Sequence, residues 1–210
     1  MEKTLLILNG KNFNTKTFHT FTQSQDIFLI AVDGGINHIP DYKKPIDLHI
    51  GDMDSVQQHV LKTLRIKKSI TFPTNKDFSD YHLALQFAFE NGHKNIFVFS
   101  FNGGRTDHFI SIYESSVFFA QKGLNITLVG NNEEILFKNK SFELEIPVET
   151  TVSIYSGTQQ VENLTLSGLQ YLVKNYTLTK NIPIGLSNVA IEKNIKVTFD
   201  TGVIVLCVNK

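Results

Sequence analysis

Through residue 132 the chain alternates short apolar runs with stretches of helical period, and after that it does not. The apolar runs fall at residues 5–8, 28–32, 46–50, 69–72, 95–101 and 125–129, each of strand length and rich in Phe, Val, Ile or Leu. Between the later ones, Tyr81, Ala84, Leu85 and Ala88 recur at i, i+3, i+4 and i+7, and Gly92 supplies a stop. Ile110, Tyr113, Val117 and Ala120 predict a second apolar helix face closed by Gly123, and residues 55–64 are also expected to be helical. Strands alternating with helices in this way predict a parallel sheet with crossover connections. Beyond residue 132 the runs at 134–137, 142–146, 152–155, 171–173, 195–199 and 203–208 predict strands without helices, and Asp200-Thr201-Gly202 predicts a hairpin turn between the last two. The expected fold class is therefore an α/β parallel-sheet domain over residues 1–132 followed by an all-β sandwich domain over residues 133–210.

A parallel sheet sends all its strands out on one side, and ligands of open α/β folds bind in the crevice at those carboxyl ends. Four exits here carry unusual residues: Asp33-Gly34-Gly35, Gly51-Asp52-Met53-Asp54-Ser55, Lys76-Asp77-Phe78-Ser79-Asp80, and Gly103-Gly104-Arg105-Thr106-Asp107-His108. Asp52 and Asp54 stand two apart, so an extended backbone presents both carboxylates to one side. Magnesium takes ligands of this kind, one or two carboxylates together with substrate phosphates. So many acids at one crevice repel one another unless a cation compensates, and divalent metal, Arg105 and Lys76 are the natural compensators.

Each cluster also has a plainer reading. Gly34-Gly35 fits a tight turn needing positive φ, or a close approach by phosphate. Ser79 fits a helix N-cap with Asp80 in the first turn, or Asp80 fits a metal ligand. Gly103-Gly104 before a helix, with Arg105 inside the loop, fits either a capped loop or an anion site. His108 fits a nucleotide contact or a helix cap equally well.

Other chemistries are excluded or disfavoured by absence. Gly10-Lys11 lacks the earlier glycine of a G-x-x-x-x-G-K-[ST] loop, because Leu5 stands there; G-x-G-x-x-G, Cys-x-x-Cys and His-Glu-x-x-His do not occur. With 20 basic and 20 acidic residues the formal charge is zero, which argues against a nucleic-acid surface. The apolar stretch at residues 4–8 is too short for a signal peptide or a membrane span. The one cysteine, Cys207, rules out an internal disulfide, suits a small core residue, and is compatible with a reducing cytoplasm.

Taken in order, the four exit motifs together with Ala84-Leu85, Ser167-Gly168-Leu169 and Ser187-Asn188 resemble the thiamine pyrophosphokinase family over nearly the whole chain. The resemblance implies an α/β nucleotide-binding domain, a β-sandwich domain, and transfer of pyrophosphate from ATP to thiamine, giving thiamine diphosphate and AMP. It implies Asp52, Asp54 and Asp80 as holders of Mg2+, with Asp77 or Asp80 as proton acceptor. It implies ATP and phosphate contacts from Asp33, Gly34, Gly35, Lys76, Gly103, Gly104, Arg105, Asp107 and His108. It implies a cytoplasmic homodimer with thiamine bound between the α/β domain of one subunit and the β domain of the other, by Tyr171, Ser187 and Asn188. The family often carries a Trp after its Gly-Leu-Lys element; this chain has no Trp, and Gly168-Leu169-Gln170-Tyr171 offers Tyr171 as the aromatic face for the thiazolium cation. The rival readings are a metal-dependent phosphohydrolase or nucleotidyl transferase, and a non-catalytic nucleotide or thiamine sensor.

Overall fold

The computed structural model describes residues 3–23 and 26–210, which form two compact units. The first comprises residues up to 119 together with 128–131; the second comprises 120–127 and 132–210. In the first unit β1 (Lys3–Ile7) lies between β2 (Ile27–Val32) and β5 (Asn95–Phe99), with Leu5 level with Leu29 on one side and Phe97 on the other. Beyond β2 follow β3 (Leu48–Gly51) and β4 (Ser69–Thr71), so the order β5-β1-β2-β3-β4 is parallel throughout. The chain reverses its direction of growth between β1 and β5, and that switch point is where such sheets open a crevice. β1 is buried on both faces, as a near-continuous apolar strand should be when helices cover the sheet.

One side of this sheet is filled by phenylalanines. Phe99 packs its ring 5.7 Å from Phe18, 5.9 Å from Phe21 and 6.2 Å from Phe13. Phe18 sits on α1 (Thr15–Thr22), a helix that the sequence hides because its other residues are mostly polar. Asn14 starts it twice over: its Oδ1 accepts from Thr17 N at 3.0 Å while its Nδ2 donates to Gly130 O at 2.7 Å. His38 stacks on Phe13 at 5.2 Å, and burial lowers its pKa, opposed by a hydrogen bond to the Gly10 backbone. A histidine kept neutral by folding binds its proton more readily when unfolded, so the unfolding free energy should fall as pH drops below about 6.5. Urea titrations between pH 7.5 and 5 should show that slope, and it should shrink in His38→Gln.

The expected helix at residues 55–64 is shorter than the pattern implies: α2 spans only Gln58–Leu61. Asn37 holds the preceding backbone, donating to Ser55 O at 3.0 Å and accepting from Gln57 N at 3.0 Å, which keeps residues 55–57 out of the helix. α3 (Asp80–Glu90) buries Tyr81, Ala84, Leu85 and Ala88, the face its period predicts. α4 (Thr106–Gln121) buries Val117 and Ala120 as its period predicts, but Ile110 is exposed and the buried face extends to Ile112, Ser115, Ser116 and Phe119. The two serines disguise this face. Ser116 Oγ donates to Ile112 O at 2.7 Å and meets Tyr81 Oη at 2.8 Å, so burial leaves it satisfied.

β6 (Asn125–Val129) leads into the second unit, an antiparallel sandwich. One sheet has β7 (Glu133–Lys138), β14 (Ile204–Asn209), β9 (Thr151–Ser156) and β12 (Gly185–Val189) in that order. The other has β8 (Phe142–Glu145), β13 (Asn194–Thr198), β10 (Gln160–Ser167) and β11 (Tyr176–Thr179). Alternate residues of both face one core, among them Ile195 and Val197 from β13 and Ile204, Leu206 and Val208 from β14. Two expectations are corrected here. Residues 171–173 are not a strand. Asp200-Thr201-Gly202 is not a hairpin turn, because β13 and β14 belong to different sheets, and the turn carries the chain from one to the other with Gly202 at φ +100°. Cys207 is a free, partly buried thiol whose pKa burial pushes up to about 11, so it stays protonated and unreactive. Among the described residues no helix is long and apolar enough to cross a membrane.

Candidate active site

The strand ends of the first unit open into a cleft of ≈ 680 Å³. Asp33, Asp54, Lys76, Asp77, Asp80, Gly104, Arg105 and His108 all line it, so residues from all four exit motifs converge as their positions in a parallel sheet require. Three non-glycine residues at these exits have left-handed backbones: Asp33 at φ +46°, Met53 at φ +66° and Ser100 at φ +56°. Each such conformation costs about 1–3 kcal/mol, and concentrations of them mark functional sites. Ser100 adds a second cost, since its buried Oγ has no hydrogen-bond partner among the described residues.

Asp33, Asp52 and Asp54 each place a carboxylate oxygen within 4.8 Å of the others. Gly51 makes this approach possible: at φ +151° it lies so close to Asp33 that a Cβ there would stand 2.9 Å from Asp33 Cβ. Asp80 joins from another direction. Lys76 Nζ lies 3.2 Å from Asp52 Oδ2 and 3.1 Å from Asp80 Oδ1, a single ammonium bridging the second and third motifs. The family resemblance groups Asp80 with the aspartate pair; the structure brings Asp33 to that pair as well.

The protonation behaviour follows these neighbours. Burial pushes Asp52 up, but the Asp54 N–H and the Lys76 ammonium outweigh it and its pKa is lowered. Asp54 is raised by the charges of Asp52 and then Asp33. Asp80 is raised, chiefly by burial, with Lys76 opposing. Burial acts to lower Lys76, but Asp80 and Asp52 more than reverse it and keep it a cation. Ser79 caps α3, its Oγ accepting from His82 N at 3.3 Å, which fixes Asp80 in the first helical turn.

The remaining expected residues divide plainly. Gly34 and Gly35 are buried behind the cleft, in the short 3-10 turn Asp33–His38. A Cβ on Gly35 would stand 2.0 Å from Ile7 O, so the close approach this glycine permits is to β1. Gly103 at φ +85° shapes the loop, and Gly104 is open to the cleft. Arg105 and Asp107 are exposed and paired side by side, Nη2 to Oδ2 at 2.5 Å and Nε to Oδ1 at 3.1 Å, while Asp107 Oδ1 also accepts from His108 N. The pair raises Arg105 and lowers Asp107.

Tyr171, Ser187 and Asn188 come together in the second unit. The Asn188 amide is buried and spent on backbone: its Oδ1 accepts from Tyr171 N at 2.9 Å and Val189 N at 2.9 Å, and its Nδ2 donates to Tyr171 O at 2.7 Å. Tyr171 is thereby held at the surface, 63% exposed. Ser187 sits at a register shift of β12 with φ +56°, its N–H donating to Ser153 Oγ at 3.0 Å. Nothing in the sequence singles out Asn9, the Ser55 side chain or His49; Asn9 follows the first apolar run at one more strand exit but carries no charge.

A parallel sheet whose exits gather acids, a lysine and an arginine is thus followed by an antiparallel sandwich. Residues 19–128 match the family model described as "Thiamin pyrophosphokinase, catalytic domain", and residues 140–204 match "Thiamin pyrophosphokinase, vitamin B1 binding domain". The chain belongs to the thiamin pyrophosphokinase family. A curated relative, the thiamine pyrophosphokinase of Bacillus subtilis (strain 168), is 25% identical over 211 residues, covering 97% of each chain. The fold is shared with the crystal structure of a thiamine pyrophosphokinase from Bacillus subtilis (TM-score 0.84, 21% identity, 100% of this chain and 99% of that one). It is shared also with thiamin pyrophosphokinase from Candida albicans (TM-score 0.76, 14% identity, 99% and 90%).

Proposed function

We propose that the cleft transfers the pyrophosphoryl group of ATP to the hydroxyethyl oxygen of thiamine, releasing AMP. The observation that carries this reading is the convergence of Asp33, Asp52, Asp54, Asp80, Lys76 and Arg105 at one set of strand ends in a chain of this family. The donor set is all carboxylate oxygen, as a hard divalent cation requires, and Asp33 Oδ1 is buried without a partner among the described residues. The residues that would hold Mg2+ are Asp52 and Asp54, with Asp80 at the start of α3. A divalent cation held by them would supply neutralisation of charge on the triphosphate. Lys76 and Arg105, with the Gly104 backbone, orient the polyphosphate and favour charge on the transferring group. The thiamine oxygen forms its bond to the β-phosphorus as the bond from that phosphorus to the α–β bridging oxygen breaks, and AMP leaves with the electron pair. Asp77, exposed at the cleft rim, and Asp80 are the carboxylates placed to take the hydroxyl proton.

The α/β domain is assigned the nucleotide and the sandwich domain the thiamine. Tyr171 offers an exposed aromatic face to the thiazolium cation, and Tyr171→Ala should raise KM for thiamine about tenfold, with kcat changed less. A KM unaltered in steady-state kinetics would remove Tyr171 from the pocket. Leu172, Ile184 and Leu186 are exposed beside it, at 62%, 53% and 63%, which supports a homodimer covering this face. Incubation with ATP, magnesium and thiamine, following AMP and thiamine diphosphate together, tests the whole reading. AMP or phosphate formed equally without thiamine would favour a hydrolase; thiamine bound with no AMP formed would favour a sensor.

A further inference from the structure

We propose that Asn9 and Ser55 are positioning residues that hold Asp33 as an additional carboxylate ligand of the divalent cation, an inference that rests on the phosphotransfer reading above. Ser55 Oγ donates to Asp33 Oδ2 at 2.5 Å, and Asn9 Nδ2 donates to Ser55 Oγ at 3.1 Å. With one lone pair of the serine taken by Asn9, its proton is directed at the carboxylate. The serine is itself fixed, because its carbonyl accepts from Asn37 Nδ2 at 3.0 Å. Asp33 is held at its backbone too, where the His49 Nε2–H donates to the Asp33 carbonyl at 3.1 Å. These contacts engage one carboxylate oxygen and leave the other, Oδ1, buried and unpartnered among the described residues, in a side chain whose ligand oxygen lies within 4.8 Å of those of Asp52 and Asp54.

The donors matter chemically because they are neutral. Lys76 compensates Asp52 and Asp80 with a full positive charge, whereas Ser55 and Asn9 orient Asp33 and leave its negative charge intact. That charge is felt, since it helps raise Asp54. Hydrogen bonds from outside the ligand set are how metal sites fix their carboxylates, and losing one costs about 10- to 100-fold in metal affinity. The relay also joins three neighbouring strand ends, with Asn9 after β1, Asp33 after β2 and Ser55 after β3.

The test is Mn2+ binding to the full chain, without nucleotide, measured by electron paramagnetic resonance. Ser55→Ala should weaken binding about tenfold, Ser55→Thr should restore most of it, and Asn9→Ala should weaken it in the same direction. In an Asp33→Asn background Ser55→Ala should have no further effect, which a merely structural serine would not produce. Wild-type affinity in both Ser55→Ala and Asn9→Ala, or an undiminished Ser55→Ala loss in the Asp33→Asn background, would overturn the proposal alone. Should Ser55→Ala not fold, Asn9→Ala with and without Asp33→Asn decides by the same comparison. Absence of Mn2+ binding by the wild-type chain would overturn this proposal together with the metal assignment it rests on.

Discussion

Replacing Asp52 by Asn is expected to lower kcat at least about a hundredfold while leaving the fold in place, the scale of losing one group that stabilises transition-state charge. Asp52 is the meeting point of the site. It shares the aspartate cluster with Asp33 and Asp54, and its Oδ2 faces the Lys76 ammonium at 3.2 Å. Asparagine keeps the shape and an acceptor oxygen but removes the charge. The fold is expected to survive because Lys76 keeps its second partner, Asp80, and removing one charge relieves repulsion with Asp33 and Asp54. Steady-state kinetics and a thermal melt on the same preparation read both effects. Full turnover in Asp52→Asn would remove the carboxylate pair from the chemistry.

The largest effect on stability is expected at Phe99. Its ring is fully buried and meets Phe13, Phe18 and Phe21, so it closes the α1 side of the sheet. Phe99→Ala should cost about 3–5 kcal/mol through lost burial and the cavity left behind. That is a large fraction of the ~5–15 kcal/mol that holds a typical domain together. Urea unfolding should show a lower midpoint at an unchanged slope. A loss below ~1 kcal/mol would mean that the neighbouring rings collapse into the space. Because Phe99 immediately precedes the strained Ser100 at the switch point, this core residue also bears on the geometry of the cleft.

The first domain is legible in the sequence because its strands are continuous apolar runs and its exits carry charge. A strand buried on both faces, such as β1, needs no partner to be recognised. The misreadings there have one cause: polar side chains doing work inside the protein. Ser115 and Ser116 stand on the buried face of α4, and Ser55 is held out of α2 by Asn37 while its hydroxyl serves Asp33. The sandwich is less legible. β10, β11 and β12 carry few apolar residues in sequence, since each shows only one face to the core, and β10 and β12 are broken by register shifts at Val161/Leu164 and Gly185/Asn188. A shift interrupts the two-residue period on which strand reading depends. The turn at residues 200–202 misleads for a different reason: Asp-Thr-Gly serves a chain reversal whether the two strands pair with each other or enter opposite sheets.

The gathering of the acids at one crevice is legible in the sequence, but which of them lie against one another is not. Spacing puts Asp52 beside Asp54, yet nothing in sequence brings Asp33 across from β2, or sets Lys76 between Asp52 and Asp80. Those relations depend on sheet order and on the close passage of Gly51 against Asp33. Likewise Asn188 looks like a ligand residue in sequence, whereas its amide is committed to the Tyr171 and Val189 backbone, which makes it the support of the exposed ring.

The central claim is transfer of a pyrophosphoryl unit in one step, and ATP labelled at the β-phosphorus tests it most directly. Incubated with thiamine and magnesium, the protein should place the β label in thiamine diphosphate and form one AMP for each one made. Thiamine diphosphate without the β label, with ADP as the nucleotide product, would contradict it.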